Sequence, residues 1–256
     1  MMKNFTYLIK LYLPFSIRRK LGKIKRRSLG FFLSGNNVEC PICGKTFKKF
    51  LPTGLEKRDN AVCPGCDSFE RHRLLWLYMK DKINSSDKEI RLLHFAPEQS
   101  LKGKFSKLNN VRYVTTDLQE SHVSLNSDIQ NLPFKDNLFD IVICSHVLEH
   151  IPNDQKGMME IFRVLKKDGW AILQVPLNED LEVTYEDPSI TSPLERLKHF
   201  GQEDHVRIYG RDYYKRLEQA GFDVKKDNFA KTLPKDNIRR YGLMEHEIIN
   251  YVTKQH

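Results

Sequence analysis

Phe139-Asp140-Ile141-Val142-Ile143-Cys144-Ser145, then His146-Val147-Leu148-Glu149-His150, then the stretch from Asn153 to Gly169 and Trp170-Ala171-Ile172-Leu173-Gln174-Val175 together decide the fold. The first run is apolar at almost every position, as in a strand buried on both faces of a parallel sheet. Asn153–Lys167 instead places Met158, Ile161, Phe162 and Leu165 at helical spacing. Lys166 and Lys167 read as its last turn and Gly169 as its stop. Strand, helix and strand in this order make a βαβ unit, which belongs to a parallel sheet covered by helices. The same alternation extends outward. Ile90–Phe95 and Val111–Thr116 read as earlier strands, Lys215–Ala220 as a helix closing at Gly221, Phe222–Lys225 as the start of a late strand, and His246–Thr253 as a final antiparallel one.

Ahead of this region stand Cys40-Pro41-Ile42-Cys43-Gly44 and Cys63-Pro64-Gly65-Cys66. A two-residue gap lets both thiolates of one tight turn point at a single ion, and two such turns complete a tetrahedron. Gly44 and Gly65 suit the left-handed conformations of such turns. Cys40, Cys43, Cys63 and Cys66 are therefore expected to hold a structural Zn2+, a staple for a segment too small to fold alone. Cys144, in its apolar strand, reads as core. After the second pair, Asp67-Ser68-Phe69-Glu70 has the form of a capping box. It would open a helix that runs to about Asn84 and lies between the zinc segment and the next domain. Arg71-His72-Arg73 at its start reads as solvated or as facing an anionic substrate.

The net charge of +9 is unevenly placed. Residues 1–38 hold nine of the 42 basic residues and no acidic one, so the 33 that remain are balanced by 33 acidic residues. A neutral body argues against a general nucleic-acid binder, which carries its own positive face. The basic arm also carries Phe5, Tyr7, Leu8, Ile9, Leu11, Tyr12, Leu13 and Phe15. Its apolar run is interrupted by Lys10 and Pro14 and is short of the ~20 residues needed to span a bilayer. No small-residue cleavage site follows it, so a secretory signal is not expected. The arm reads as a poorly ordered tail or as a peripheral membrane contact through residues 1–27, with a phosphate-binding arm for RNA as a third reading, on a protein expected in the cytoplasm.

Three motifs carry a resemblance: Asp128-Ile-Gln-Asn-Leu-Pro-Phe134, the run from Phe139 to Ile151, and Phe162-Arg-Val-Leu-Lys-Lys-Asp-Gly169. They are similar to class I S-adenosylmethionine-dependent methyltransferases of the small-molecule "type 11"-like family. The similarity is dense from Asp128 to Pro176, looser from Leu92 to Asp117, and returns at Gly201–Gly210 and Leu217–Phe222. It implies an α/β fold, a Rossmann-like seven-stranded mostly parallel sheet, here with a small N-terminal zinc knuckle domain. The expected division is 1–37 as arm, 38–86 as zinc module with its helix, and 87–256 as methyltransferase domain. The resemblance further implies S-adenosyl-L-methionine as cofactor, with Asp117 on the ribose hydroxyls, Asp128 and Ile129 beside the adenine, and Ser145 and His146 near the transferable methyl. The family's glycine-rich loop after the first strand is missing. In its place stand Phe95-Ala96-Pro97-Glu98, where Ala96 and Pro97 are small and Glu98 would meet the methionine ammonium.

A sulfonium methyl is already electrophilic, so the protein must orient an acceptor and take its proton. The long connection from Pro176 to Arg211 is the place for acceptor recognition, because such loops lie over strand ends. His205 is the first candidate for the base and His146 the second, although His205 also reads as a brace for the loop. Arg207 and Tyr209 are the candidate acceptor contacts, Arg207 for a carboxylate or phosphate. The expected activity is methyl transfer to a small-molecule or glycan acceptor. A zinc-containing ribosomal RNA base methyltransferase and a non-catalytic scaffold on the same fold stay as alternatives, with nucleic acid the less favoured partner.

Overall fold

The computed structural model describes residues 15–53 and 58–254. The apolar run of the arm before residue 15 lies outside them. The chain divides into two compact units, one of residues up to Lys80 with Ala230–Glu247, the other of Asp81–Phe229 with Ile248–His256. The stretch 230–247 thus returns to the first unit, a long-range association that periodicity alone does not reveal.

In the first unit a helix at Phe15–Phe32 precedes two short antiparallel ribbons, Ser34–Glu39 with Thr46–Phe47 and Leu51–Thr53 with Arg58–Val62. The two cysteine turns are built alike. Gly44 N–H donates to Cys40 O at 2.8 Å and Asp67 N–H donates to Cys63 O at 2.9 Å. Both donors have positive φ, 71° at Gly44 and 59° at Asp67. Gly65 therefore does not supply the left-handed residue of its turn. It is needed for space, since a Cβ there would lie 3.3 Å from Cys43 Sγ and 3.1 Å from Lys45 Cδ. Asp67, placed in that turn and paired with Arg26, does not act as the first residue of a capping box. The helix begins at Glu70 and ends at Asn84. Within it Arg73 is completely buried, not solvated. Its guanidinium donates to five main-chain carbonyls, those of Asn60, Ala61, Ser68, Tyr241 and Gly242, at 2.7–3.1 Å. One buried cation thereby ties three sequence segments of this unit together.

The second unit is a seven-stranded sheet. Its strands are β1 (Ile90–Phe95), β2 (Val111–Asp117), β3 (Leu125–Asn126), β4 (Phe139–Ser145), β5 (Leu165–Gln174), β6 (Asp223–Asp227) and β7 (Ile249–Thr253). From one edge the order is β3-β2-β1-β4-β5-β7-β6, parallel except for β7. This is the expected Rossmann-like seven-stranded arrangement. Leu93, Val142, Cys144, Leu173 and Val252 from its strands meet Met158, Ile161 and Leu217 from covering helices in one core. Burial also pushes the Cys144 thiol well above its ordinary range, so it is an inert core residue as read.

The helix expected to reach Lys167 runs only from Asp154 to Val164, and β5 begins at Leu165. Its start is capped by the Asn153 side chain, which accepts from Lys156 N–H at 3.0 Å. Its end is met by Lys254, whose ammonium donates to Phe162 O at 2.8 Å and Leu165 O at 2.9 Å. A cation just past a strand far along the chain satisfies the carbonyls that a helix terminus leaves open, so the helix stops early. Lys254→Met is expected to cost about 1.5–3 kcal/mol, the range for hydrogen bonds to a charged group. Denaturant unfolding followed by circular dichroism measures it.

Candidate functional site

The registers of the central strands align the residues that the resemblance singled out. Phe95 of β1 pairs with Thr116 of β2 and with Cys144 of β4. Ala96, Asp117 and Ser145, each one residue further on, therefore form one row at the carboxyl ends of three adjacent parallel strands. Between β1 and β4 the strand order reverses, which in open α/β sheets is where ligands bind. Two residues on this rim have left-handed backbones although neither is glycine: Ala96 at φ 44° and His146 at φ 55°. Ala96 thus adopts the conformation that a glycine would provide in the missing loop, and both residues store strain of the kind concentrated at ligand sites. Their amides are fixed, Ala96 N–H to Thr116 O and His146 N–H to Gln174 O, each at 2.8 Å.

Asp117 uses Oδ1 to accept from Gln119 and Glu120 N–H at 2.8 and 2.9 Å. Its Oδ2 has no protein partner among the described residues. Asp128 accepts from Gln130 N–H at 2.9 Å, again shaping its own loop. Ile129 and Phe95 are buried in the core cluster. Glu98 lies 3.3 Å from Nε2 of the fully buried His94, whose Nδ1 is 2.9 Å from the Tyr113 hydroxyl. A brace of this kind was not legible in Leu93-His94-Phe95, where His94 simply alternates into an apolar strand.

Past β4 a single 3-10 turn, Leu148–His150, presents Glu149 and His150. Glu149 is buried, and its Oε1 accepts from His146 Nδ1 at 3.2 Å. The Val206 amide donates to Glu149 O at 2.9 Å, which draws the 205–207 segment alongside. The His150 and His205 rings meet edge to face with centroids 4.7 Å apart. Burial, reinforced by the neighbouring His150, holds the His205 imidazole below its usual pKa. His146 and His205, chosen separately from sequence, thus converge on Glu149, a residue that sequence reasoning passed over.

Arg207 and Tyr209 are placed otherwise than expected. Arg207 is 3% exposed and donates to Glu186 at 2.8 Å and to the carbonyls of Leu148, Ile151 and Pro152 at 2.5–3.0 Å. Tyr209 is fully buried with its hydroxyl on Asp154 Oδ2 at 2.8 Å. With every guanidinium nitrogen of Arg207 engaged, neither side chain is available to an acceptor. They hold the loop instead.

In the first unit Cys40 Sγ lies 3.6 Å from Cys66 Sγ, and Cys43 Sγ 3.7 Å from Cys63 Sγ. All four sulfurs fall within 4.8 Å of one another. Tetrahedral bonds of ~2.3 Å to a common ion put sulfurs about 3.8 Å apart, so the cluster has the size of a four-thiolate site.

Residues 103–173 match the family profile described as "Methyltransferase domain". An uncharacterized protein of Methanocaldococcus jannaschii is 37% identical over 90 residues, 34% of this chain and 40% of that protein. The uncharacterized methyltransferase YcgJ of Bacillus subtilis is 32% identical over 78 residues, 30% of this chain and 28% of that one. A ubiquinone biosynthesis O-methyltransferase of Rickettsia akari is 34% identical over 68 residues, covering 25% and 27%. The chain thus spans less than half the length of these relatives. The crystal structure of Bacillus subtilis YcgJ covers 72% of this chain and 99% of its own at 16% identity and a TM-score of 0.46. On the profile match, residues 103–173 are similar to a methyltransferase domain.

Proposed function

We propose that the unit built on the seven-stranded sheet is an S-adenosylmethionine-dependent methyltransferase acting on a small-molecule or glycan acceptor. The observation that carries this reading is the row Ala96, Asp117, Ser145 at the strand-order reversal, with left-handed backbone at Ala96 and His146. These residues suit the cofactor. Asp117 Oδ2 is an acceptor for the ribose hydroxyls, the compact Ala96 leaves room for close approach, and Glu98, braced by His94, is an anion for the methionine ammonium. Asp128 and Ile129 are the proposed adenine neighbours. Bound there, S-adenosylmethionine supplies a methyl group on an electrophilic sulfonium.

The chain's own contribution falls to His146. Its Nδ1–H donates to buried Glu149, which fixes the tautomer and leaves Nε2 as the proton acceptor. This favours His146 over His205 as the base, because His205 is buried whereas the His146 side chain is 31% exposed at the rim. The four cysteines are proposed to hold structural Zn2+. The helix Phe15–Phe32 leaves Phe31 and Phe32 82% and 76% exposed beside a basic run, which supports peripheral contact with an anionic membrane surface. No helix among the described residues is long and apolar enough to cross a membrane.

Calorimetric titration tests the reading. S-adenosylmethionine and S-adenosylhomocysteine are expected to bind in the micromolar range. Asp117→Ala should weaken both about 10–100-fold, as loss of a charged hydrogen-bond acceptor worth about 1.5–3 kcal/mol requires. Absence of binding to folded wild-type protein overturns it.

A further inference from the structure

We propose that Glu149, His150 and His205 form a binding site for a first-row divalent metal ion, separate from the cysteine cluster. One donor atom from each residue lies within 4.8 Å of the others. Bonds of ~2.1 Å to a shared ion require donors about 3–4.2 Å apart, so a small closure of these side chains completes the set. Two imidazoles and one carboxylate are a donor set that suits Fe2+, Co2+, Ni2+ or Zn2+, and three ligands leave coordination positions open.

The second observation is the state of Glu149. Only 2% of it is exposed, and while Oε1 accepts from His146, Oε2 is buried without any hydrogen-bond partner. A buried carboxylate oxygen left unmatched is costly, a penalty that a cation would remove. The surroundings of the two imidazoles point the same way. Nδ1 of His150 is 3.3 Å from the Asp204 carbonyl oxygen and 3.4 Å from the Asp204 carboxylate. The His205 imidazole lies beside the backbone of Phe200. An imidazole that gives one N–H to a carbonyl or carboxylate turns its other nitrogen into an oriented lone pair, the arrangement found behind metal-bound histidines. The 3-10 turn and the Val206–Glu149 bond set this geometry in the backbone, independently of any ligand.

The site adjoins His146. On the methyl-transfer reading, which this step rests on, the open positions select an acceptor with paired oxygens. A cation held there would supply Lewis acidity to an acceptor hydroxyl, and His146 Nε2 would take that hydroxyl's proton. Binding of the metal itself does not depend on that reading.

Protein whose cysteines are already saturated with zinc is titrated with Co2+, without S-adenosylmethionine, so the result is separable from cofactor binding. One further equivalent is expected, giving paramagnetically shifted imidazole N–H resonances and no sulfur-to-cobalt charge-transfer absorption. Glu149→Gln keeps the shape and an oxygen for His146, and His205→Ala removes a ring; circular dichroism confirms that each is folded. Both should weaken Co2+ by more than the about 10–100-fold typical of losing an outer hydrogen-bond partner. No second equivalent, unchanged affinity in folded Glu149→Gln, or thiolate absorption alone each overturns the proposal.

Discussion

Protein prepared without chelator is expected to carry one zinc per chain in the four-cysteine cluster, and Cys63→Ser is expected to lose both the zinc and the fold of residues 34–80. The sulfur spacings of 3.6 and 3.7 Å already match a shared ion. Without an ion, four sulfurs this close cannot all stay ionised or all satisfy their protons. The hydrogen bonds among them hold Cys40 well below the usual thiol range and push Cys63 and Cys66 well above it. Apart from the cluster, order around the two turns rests on two short ribbons, a few buried side chains such as Phe47 and Phe50, and the carbonyls of Asn60, Ala61 and Ser68 that Arg73 of the following helix holds. Structural zinc in segments of this size supplies about 10–16 kcal/mol of apparent binding energy at neutral pH, which is folding energy. Loss of one thiolate should therefore remove amide-exchange protection from Cys40–Cys43 and Cys63–Cys66 together. Metal analysis with hydrogen exchange checks it. A zinc-free chain that keeps full protection in both turns would count decisively against a metal staple.

Much of this architecture was legible in the chain, for identifiable reasons. Ile90–Phe95 and Phe139–Ser145 are buried on both faces, so their apolar runs mark them from end to end. The cysteine pairs announce themselves because thiolate chemistry demands a fixed gap. The early stop of the helix at Val164 was hidden, since the lysine that closes it lies at position 254. Arg73 failed for the same reason. An arginine looks solvated until five carbonyls from distant segments surround it. At the candidate site, His146 and His205 were visible as histidines near strand ends. Glu149, which links them, looked like one more charge on a short turn. Its burial is set by the return of residues 205–207, and no local pattern encodes that return.

Arg207→Met is expected to destabilise the sheet-bearing unit by about 3–5 kcal/mol, the usual consequence of removing one partner from a buried charged network. Arg207 bridges Glu186 to three main-chain carbonyls of residues 148–152. Arg216 joins the same acids, donating to Asp154 at 2.9 Å and Glu186 at 2.6 Å, while Tyr209 donates to Asp154. Methionine keeps the volume but leaves those carbonyls and Glu186 with fewer donors, and the turn carrying Glu149 and His150 loses its clamp. Denaturant midpoints at pH 7 measure the cost, and a shift below 1 kcal/mol would show that water replaces the guanidinium. The network also predicts an acid limb. Burial alone would raise the Glu186 pKa, but hydrogen bonds from Arg216 and Arg207 outweigh it and the net shift is downward. A carboxyl with a depressed folded-state pKa contributes stability that is present above the unfolded value of about 4.3 and lost as pH falls through the folded one. Wild-type stability should therefore fall below about pH 4, and more steeply than that of Glu186→Gln, which has no proton to gain at this position. The two curves converge in acid if Glu186 carries this limb, whereas parallel curves assign it to other carboxylates. Because the same residues clamp the turn beside His146, Arg207→Met should also loosen the Glu149–His146 pair, read as altered His146 ring resonances in folded protein.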